Sequence, residues 1–172
     1  MLERITEEVH LYVGGAEQSD DLTMLAIHYT PQRYESKLTE VLSLKNDIHE
    51  VSKLNAFQKS FYEKLNIEKS LARRLQLAVE ETVVNVIDYA YPIGINGDIT
   101  VKMMWNGNTL KIVVVDTGVM FDPTLVETPD TSLMVEERRV GGLGIHLVRK
   151  LMDSVNYERE DGKNILTLVK NI

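Results

Sequence analysis

In the first half of the chain, the spacing of apolar positions changes from strand-like to helix-like. The segment KLTEVLSL, which begins at Lys37, alternates loosely between polar and apolar residues and predicts a strand. Asn46 or Asp47 can cap the helix that we expect next. A longer helix is predicted from near Glu68 to Ala90. Its apolar residues share one broad face: Leu71, Leu75, Ala78, Val79, Val83, Val86 and Ala90.

The second half of the chain predicts two β-hairpins with a helix between them. The strands DITVKMMW and TLKIVVVD are joined by a turn at Gly107, and the strands SVNYER and NILTLVK by a turn at Asp161. The helix GGLGIHLVRKLM begins on glycines and follows an irregular segment over residues 119–140. Loops of this length in compact domains are often functional lids.

Residues 1–30 form a short segment with its own pattern. Apolar positions at steps of three, four and three predict an amphipathic helix over residues 1–13, and the run LTMLAIHY predicts a buried strand. The segment TPQRYES predicts a linker. One helix and one strand cannot form a core alone, so we expect this segment to need a partner surface.

Composition narrows the class of protein. The 172 residues suit one domain with an appendage, because single cores usually close at about 100–200 residues. A formal charge of -7 disfavours nucleic acid and acidic lipid surfaces as partners. The absence of cysteine excludes disulfides, and no apolar stretch approaches the ~20 residues that span a bilayer. We expect a cytoplasmic protein that binds neither nucleic acid nor membrane directly.

Two polar residues interrupt the apolar pattern of the long predicted helix. Glu81 and Asn85 stand four residues apart and therefore share one helix face. A carboxylate there can accept a proton from a hydroxyl group, and an amide oxygen can bind a hard cation together with phosphate oxygens. On this pattern alone, a solvated stripe on an amphipathic helix is an open alternative.

Asp116 ends the apolar strand IVVVD and is followed by Thr117 and Gly118. A carboxylate that faces a pocket at the end of a strand can accept a hydrogen bond from an exocyclic amine. A turn residue that caps the strand exit is the open alternative. Asp-Thr-Gly is also the hallmark of aspartic proteases, but the chain has no second copy, and a homodimeric protease would not need the two preceding helices.

Gly141, Gly142 and Gly144 open the last predicted helix. Their N–H groups and the positive end of the helix dipole can meet an anion at close range. Their spacing is neither that of a Walker A loop nor that of a Rossmann fingerprint. A flexible hinge for the preceding loop is the open alternative.

In their order along the chain, these motifs resemble those of the GHKL (histidine-kinase-like) ATPase domains: E-x-x-x-N on a helix, D-x-G after a strand, a long lid, and G-x-G opening a helix. Within that superfamily, AVEETVVNVIDYAYP, VVDTGVMFDP and GGLGIHLVRKLMDSVNYER look most like anti-sigma factor serine kinases of the RsbW and SpoIIAB type. The resemblance covers residues 36–172. It implies an α+β fold, in which helices cover one face of a mixed, mostly antiparallel sheet to form a two-layer sandwich.

The resemblance implies a role for each matching residue. Asn85 matches the asparagine that binds Mg²⁺ on the ATP phosphates, and Glu81 matches the general base that acts on the acceptor hydroxyl. Asp116 matches the aspartate that accepts a hydrogen bond from the adenine amino group, and Gly118 gives the ring room.

Further residues match the phosphate and adenine positions of the family. Gly141, Gly142 and Gly144 match glycines whose backbone holds the phosphates, and Thr167 matches a threonine near the adenine, although a core threonine explains it equally well. Three residues have no secure counterpart in this comparison: Tyr89, which stands where many relatives have histidine, and Arg138 and Arg139 before the glycines.

The resemblance implies ATP and Mg²⁺ as cofactors and a protein serine/threonine kinase activity. The expected substrate is a STAS-type anti-sigma factor antagonist, with a sigma factor as a further partner, and relatives of this type often form homodimers. A nucleotide-dependent module that sequesters one of these partners without phosphoryl transfer is an open alternative, because the same pocket serves both functions.

The segment QSDDLTMLAIHY resembles the closing strand of PPM/SpoIIE-type serine phosphatases, with Asp20 at the position of a metal ligand. The chain lacks the other aspartates of such a site, so no phosphatase activity is expected. The similarity implies three parts: the end of a phosphatase domain over residues 1–30, a linker over 31–35, and the ATP-binding domain over 36–172.

Overall fold

The computed structural model describes residues 37–125 and 142–172, together with Leu11, Tyr12 and Gly14. The chain divides into two units, Met1–Tyr34 and Glu35–Ile172, and every element described below belongs to the second unit. Except for Leu11 and Tyr12, which are helical, the helix and strand expected over residues 1–30 lie outside the described residues. Asp20 lies outside them as well.

Among the described residues, five strands form one sheet. Their bounds are Leu38–Lys45 (β1), Asp98–Trp105 (β2), Thr109–Asp116 (β3), Ser154–Glu160 (β4) and Lys163–Asn171 (β5). Their order across the sheet is β1-β2-β3-β5-β4, and each neighbouring pair is antiparallel. Because β5 inserts between β3 and β4, Asp116 at the end of β3 lies directly opposite Asn164 near the start of β5.

Within residues 37–125 and 142–172, three helices cover one face of this sheet. Their bounds are Val51–Lys64 (α1), Lys69–Tyr89 (α2) and Gly142–Leu151 (α3), and short 3-10 turns occupy Ile48–Glu50 and Pro123–Leu125. Helix α2 contacts both α1 and α3. Side chains alternate across a strand, and the inward positions of the central strands are buried: Ile99, Val101, Met103, Leu110, Ile112, Val114 and Leu168. They pack against buried residues of the first two helices, which include Leu54, Phe61, Leu75, Ala78, Val79 and Val83.

Acidic side chains cap the turn before α1 and the start of α2. Asp47, rather than Asn46, caps the turn before α1, where its Oδ1 accepts a hydrogen bond from the His49 N–H at 2.9 Å. At α2, the Glu68 carboxylate accepts from the Ser70 hydroxyl and from the N–H groups of Ser70 and Leu71, the last two at 2.9 and 3.0 Å. These hydrogen bonds lower the pKa of Glu68, so its charged form stabilises the start of α2.

The predicted strands and helices of this unit are confirmed in kind and order, and residues 126–140 of the expected lid lie outside the described residues. The strand at Lys37, both helices before residue 91, both hairpins and the glycine-led helix are all present. Gly107 has a φ of 109° in the first hairpin turn, and Asp161 and Gly162 have φ values of 49° and 77° in the second. The α+β fold is confirmed, with one helix-covered face on an antiparallel sheet.

Candidate functional site

A cleft opens between the sheet and helices α2 and α3. Most of its lining is apolar: Val86, Ala90, Val119, Phe121, Pro123, Ile145, Val148, Val155 and Leu166. The polar residues of the described chain that also line it are Thr82, Asn85, Tyr89, Asp116, Tyr157 and Asn164. An apolar cleft with a few polar groups is the usual composition of a small-molecule site.

The start of α3 packs against the two polar residues of α2 that the sequence singles out. A methyl group added to Gly144 would lie 2.3 Å from Glu81 Oε2 and 3.6 Å from Asn85 Nδ2. No larger residue fits there without displacing Glu81. Both α2 side chains are half-buried, and neither forms a hydrogen bond or ion pair with the part of the chain that the structure describes. The expected proton acceptor, the expected cation ligand and one expected glycine are therefore close together.

The amino end of α3 supplies hydrogen-bond donors at the same place. The helix begins at Gly142, and the first four N–H groups of an α-helix have no partner within the helix. These N–H groups and the positive end of the helix dipole favour an anion there. Gly141, Arg138 and Arg139 lie outside the described residues.

Asp116 is the last residue of β3 and is only 5% exposed. Its Oδ1 accepts two hydrogen bonds, each of 2.8 Å, from the Gly118 N–H and from Asn164 Nδ2. Among the described residues, both donors use Oδ1, so Oδ2 is available to a ligand in the cleft. The carboxylate thus caps the turn after β3 and also lines the cleft, which combines the two sequence interpretations.

Gly118 lies against the end of α2. A methyl group added to it would lie 2.3 Å from the Ala90 carbonyl oxygen, which also accepts a hydrogen bond from the Val119 N–H at 2.8 Å. Only glycine fits in this position without a shift of the main chain. The close contact holds the loop after β3 against the α2 side of the cleft.

The structure brings Asn164 to the site and does not bring Thr167 there. Asn164 is 5% exposed and lines the cleft with Leu166, whereas Thr167 pairs with Val113 on the opposite face of the sheet. The alternation in NILTLVK separates these two sets of residues, but apolar side chains occupy both faces of β5. Hydrophobicity therefore did not reveal which face holds the site, and sequence reasoning missed Asn164.

The oxygen donors of the cleft fit a cation that arrives with a nucleotide. No group of three or more His, Cys, Asp or Glu side chains is placed to hold a metal ion within residues 37–125 and 142–172. Asn85 lines the cleft and offers one side-chain oxygen, and Glu81, the expected proton acceptor, stands one helical turn before it on α2. Mg²⁺ at nucleotide sites usually takes one or two protein oxygens and completes its shell with phosphate oxygens and water. The Asn85 oxygen fits that mode of binding.

Residues 44–170 match the model of the histidine kinase-like ATPase domain family. The chain belongs to this family. None of the helices in the described ranges is long and apolar enough to cross a membrane.

Two named protein kinases are similar to the chain. It is 28% identical over 97 residues to the serine/threonine-protein kinase BtrW of Bordetella bronchiseptica, a match that covers 56% of this chain and 68% of BtrW. It is 31% identical over 96 residues to the serine-protein kinase RsbW of Bacillus cereus, and this match covers 54% of this chain and 59% of RsbW. The chain therefore spans only about three fifths to two thirds of these relatives.

One solved structure shares the fold. The crystal structure of the RsbU and RsbW domains of Rv1364c from Mycobacterium tuberculosis matches 77% of this chain and 32% of that chain, with a TM-score of 0.56. At 16% sequence identity, this likeness concerns the fold alone.

Proposed function

We propose that this chain is an ATP-dependent protein serine/threonine kinase of the anti-sigma factor type. The observation that carries the proposal is the packing of Gly144 against Glu81 and Asn85, because Asn85 also lines the cleft that contains the buried Asp116. A proton acceptor, an oxygen donor and the amino end of a helix meet there. The similarity to protein kinases that act on serine or threonine supports the same function.

The cleft suits the two ends of ATP differently. Asp116 Oδ2 would accept a hydrogen bond from the exocyclic amine of the base, and the apolar lining would pack against the faces of the ring. The N–H groups at the start of α3, with Gly142 and Gly144, would bind the phosphates. Mg²⁺, when bound with the nucleotide, would neutralise phosphate charge, and Asn85 is the residue expected to hold it.

Glu81 would act as the general base. Its carboxylate would take the proton of the attacking serine or threonine hydroxyl as the oxygen bonds to the γ-phosphorus. The bond from that phosphorus to the β–γ bridging oxygen breaks, and ADP leaves. Phosphoryl transfer depends mainly on positioning and charge stabilisation, which the α2 side chains and the α3 amides would supply.

The protein substrate that we propose is a STAS-type anti-sigma factor antagonist. Its phosphorylation would change the availability of a sigma factor, and the reaction would take place in the cytoplasm. The motif resemblance and the similarity to RsbW and BtrW support this finer assignment.

We further propose that residues 1–30 derive from the end of a PPM-type phosphatase domain. The D-D-x-T pattern at Asp20 supports this origin. The division of the chain after Tyr34 falls within the expected linker over residues 31–35.

A measurement of phosphoryl transfer distinguishes a kinase from a module that only binds its partner. The protein would be incubated with Mg²⁺, γ-labelled ATP and a panel of STAS-type antagonists, and ATP binding would be measured in parallel by calorimetry. We expect label on a serine or threonine of an antagonist. Binding of ATP without transfer to any antagonist would favour the alternative, a nucleotide-dependent module that only sequesters its partner.

A further inference from the structure

We propose that Asn164, Tyr157 and Arg159 determine which base the nucleotide site accepts. We call these three residues the Asn164 network. The inference rests on the proposed function, in which Asp116 faces the base of the nucleotide.

The buried amide of Asn164 has all of its hydrogen-bonding positions filled. Its oxygen accepts from the Tyr157 hydroxyl at 2.8 Å and from Arg159 Nη1 at 2.5 Å. Its nitrogen donates to Asp116 Oδ1 at 2.8 Å and to the Val119 carbonyl oxygen at 2.9 Å. An asparagine amide offers two acceptor and two donor positions, so this side chain is fully satisfied.

The partners of Asn164 allow only one orientation of its amide. A guanidinium can only donate hydrogen bonds, and a main-chain carbonyl can only accept them. A reversed amide would place its nitrogen against Arg159 and its oxygen against the oxygens of Asp116 and Val119. Buried polar groups left without a partner are costly, so Arg159 and Val119 hold the amide nitrogen towards Asp116.

The fixed amide determines what Asp116 offers to a ligand. Oδ1 accepts hydrogen bonds from two N–H donors, those of Gly118 and Asn164, each at 2.8 Å. The carboxylate is therefore held in place and presents Oδ2 as a hydrogen-bond acceptor. Adenine carries an amine at its C6 position, which can donate to Oδ2, whereas guanine carries a carbonyl oxygen there, which cannot.

Arg159 acts on the base through Asn164, and Tyr157 holds the same amide while it also lines the cleft. They stand two residues apart on β4, and both donate to the Asn164 oxygen rather than to Asp116. Arg159 is exposed and does not line the cleft, and it also donates a hydrogen bond of 3.4 Å to the Gly118 carbonyl oxygen. They are positioning residues, and their removal should change base preference more than it changes stability.

The first test compares dissociation constants for Mg-ATP and Mg-GTP by calorimetry. We expect the unaltered protein to prefer ATP by roughly tenfold or more, the effect of one mismatched base contact. The double variant Tyr157→Phe/Arg159→Met should lose most of this preference, while its circular dichroism and melting temperature stay close to those of the unaltered protein. The single variant Arg159→Lys retains a hydrogen-bond donor. It should therefore keep much of the ATP preference that the double variant loses, a result that a merely structural role does not predict.

The second test removes the donor of the hydrogen bond from Asn164 to Asp116. Asn164→Asp places a second carboxylate oxygen against Asp116, and we expect ATP binding to weaken by more than about tenfold. Asn156→Asp on β4 is the matched control, because Asn156 is exposed and its side chain donates to Ser154 Oγ at 3.0 Å. This control should bind ATP like the unaltered protein.

The outcomes distinguish a failure of the Asn164 network from a failure of the proposed function. An unaltered protein that binds neither nucleotide would overturn both. A protein that binds ATP and GTP equally would overturn the network alone. So would an ATP preference that persists unchanged in the double variant and in a folded Asn164→Asp protein.

Discussion

Gly118 and Gly144 are both in close contact with other atoms, but those atoms differ in how far they can move. The neighbour of Gly118 is the Ala90 main-chain oxygen, which the Val119 N–H also holds. The neighbour of Gly144 is the end of the flexible Glu81 side chain. An added methyl group must shift the main chain in the first case and only the Glu81 carboxylate in the second.

We therefore expect opposite effects from two alanine substitutions. Gly118→Ala should lower the free energy of unfolding by about 1–3 kcal/mol, the usual cost of overpacking. Gly144→Ala should leave stability unchanged or raise it by up to about 1 kcal/mol, because alanine favours a helix over glycine, yet it should abolish phosphoryl transfer by displacing Glu81. Urea unfolding and the labelled-ATP assay measure the two effects, and equal destabilisation by both changes would contradict this explanation.

At the residue scale, the sequence located those site residues whose chemistry contrasts with their surroundings. Glu81 and Asn85 interrupt an apolar helix, and Asp116 ends an apolar strand. Asn164 was not predicted as a site residue, because β5 carries apolar residues on both faces. Only the pairing of β5 with β3 shows that Asn164 lies opposite Asp116. The choice of Thr167 came from the family pattern, and strand alternation places it on the other face of the sheet.

Helix α2 carries both Glu81 and Asn85, and its first turn depends on a charged cap. The hydrogen bonds from Ser70 and Leu71 hold the pKa of Glu68 below its ordinary value. A carboxyl group whose pKa is lowered in the folded state stabilises that state at pH values above the pKa of the unfolded chain. This contribution is lost as the pH falls through the folded-state value.

We expect Glu68→Gln to lower the urea midpoint at pH 7. The difference from the unaltered protein should shrink below about pH 4.3, the ordinary value for glutamate, and vanish once Glu68 is protonated in both states. Glu63→Gln on α1 is a suitable control, because the Glu63 side chain is exposed and its nearest cation, Lys59, lies 4.0 Å away. A Glu68→Gln effect that stays constant down to acidic pH would show that the cap does not act through its charge.

At the element scale, the sequence predicted the strands and helices more completely than it predicted the residues of the site. The strands follow from the alternation of apolar and polar residues, and the helices follow from apolar residues at helical spacing. Both patterns are visible in the sequence because each element buries one side in the core. The order of strands in the sheet does not follow from such patterns. It arises when β5 inserts between β3 and β4, and this insertion brings Asp116 and Asn164 together.

At the scale of the whole molecule, a protein with a formal charge of -7 must bind a polyanion through local groups. In the described ranges, the amides at the start of α3 and a cation held by Asn85 are the groups suited to this task. Nucleotide binding should then be visible as stabilisation of the entire fold. At about 100 times the dissociation constant, a ligand that binds only the folded state adds about 2.7 kcal/mol.

We expect Mg-ATP to raise the free energy of unfolding by that amount, and Asp116→Asn to remove most of the effect at the same nucleotide concentration. Asp98→Asn is the control, because Asp98 is exposed and pairs with Lys45 away from the cleft. Urea unfolding with and without Mg-ATP provides the measurement. No stabilisation of the unaltered protein at millimolar Mg-ATP would indicate a domain that has lost nucleotide binding.

The most direct test of the proposed kinase centre compares Glu81→Gln with Glu80→Gln. Both residues lie on α2, but of the two only Glu81 packs against Gly144 at the start of α3. The measurements are Mg-ATP affinity and transfer of labelled phosphate to the STAS-type antagonist that the unaltered protein phosphorylates. We expect Glu81→Gln to bind Mg-ATP and transfer no phosphate, and Glu80→Gln to retain both properties. Full phosphorylation of the antagonist by Glu81→Gln would contradict the assignment of Glu81 as the base.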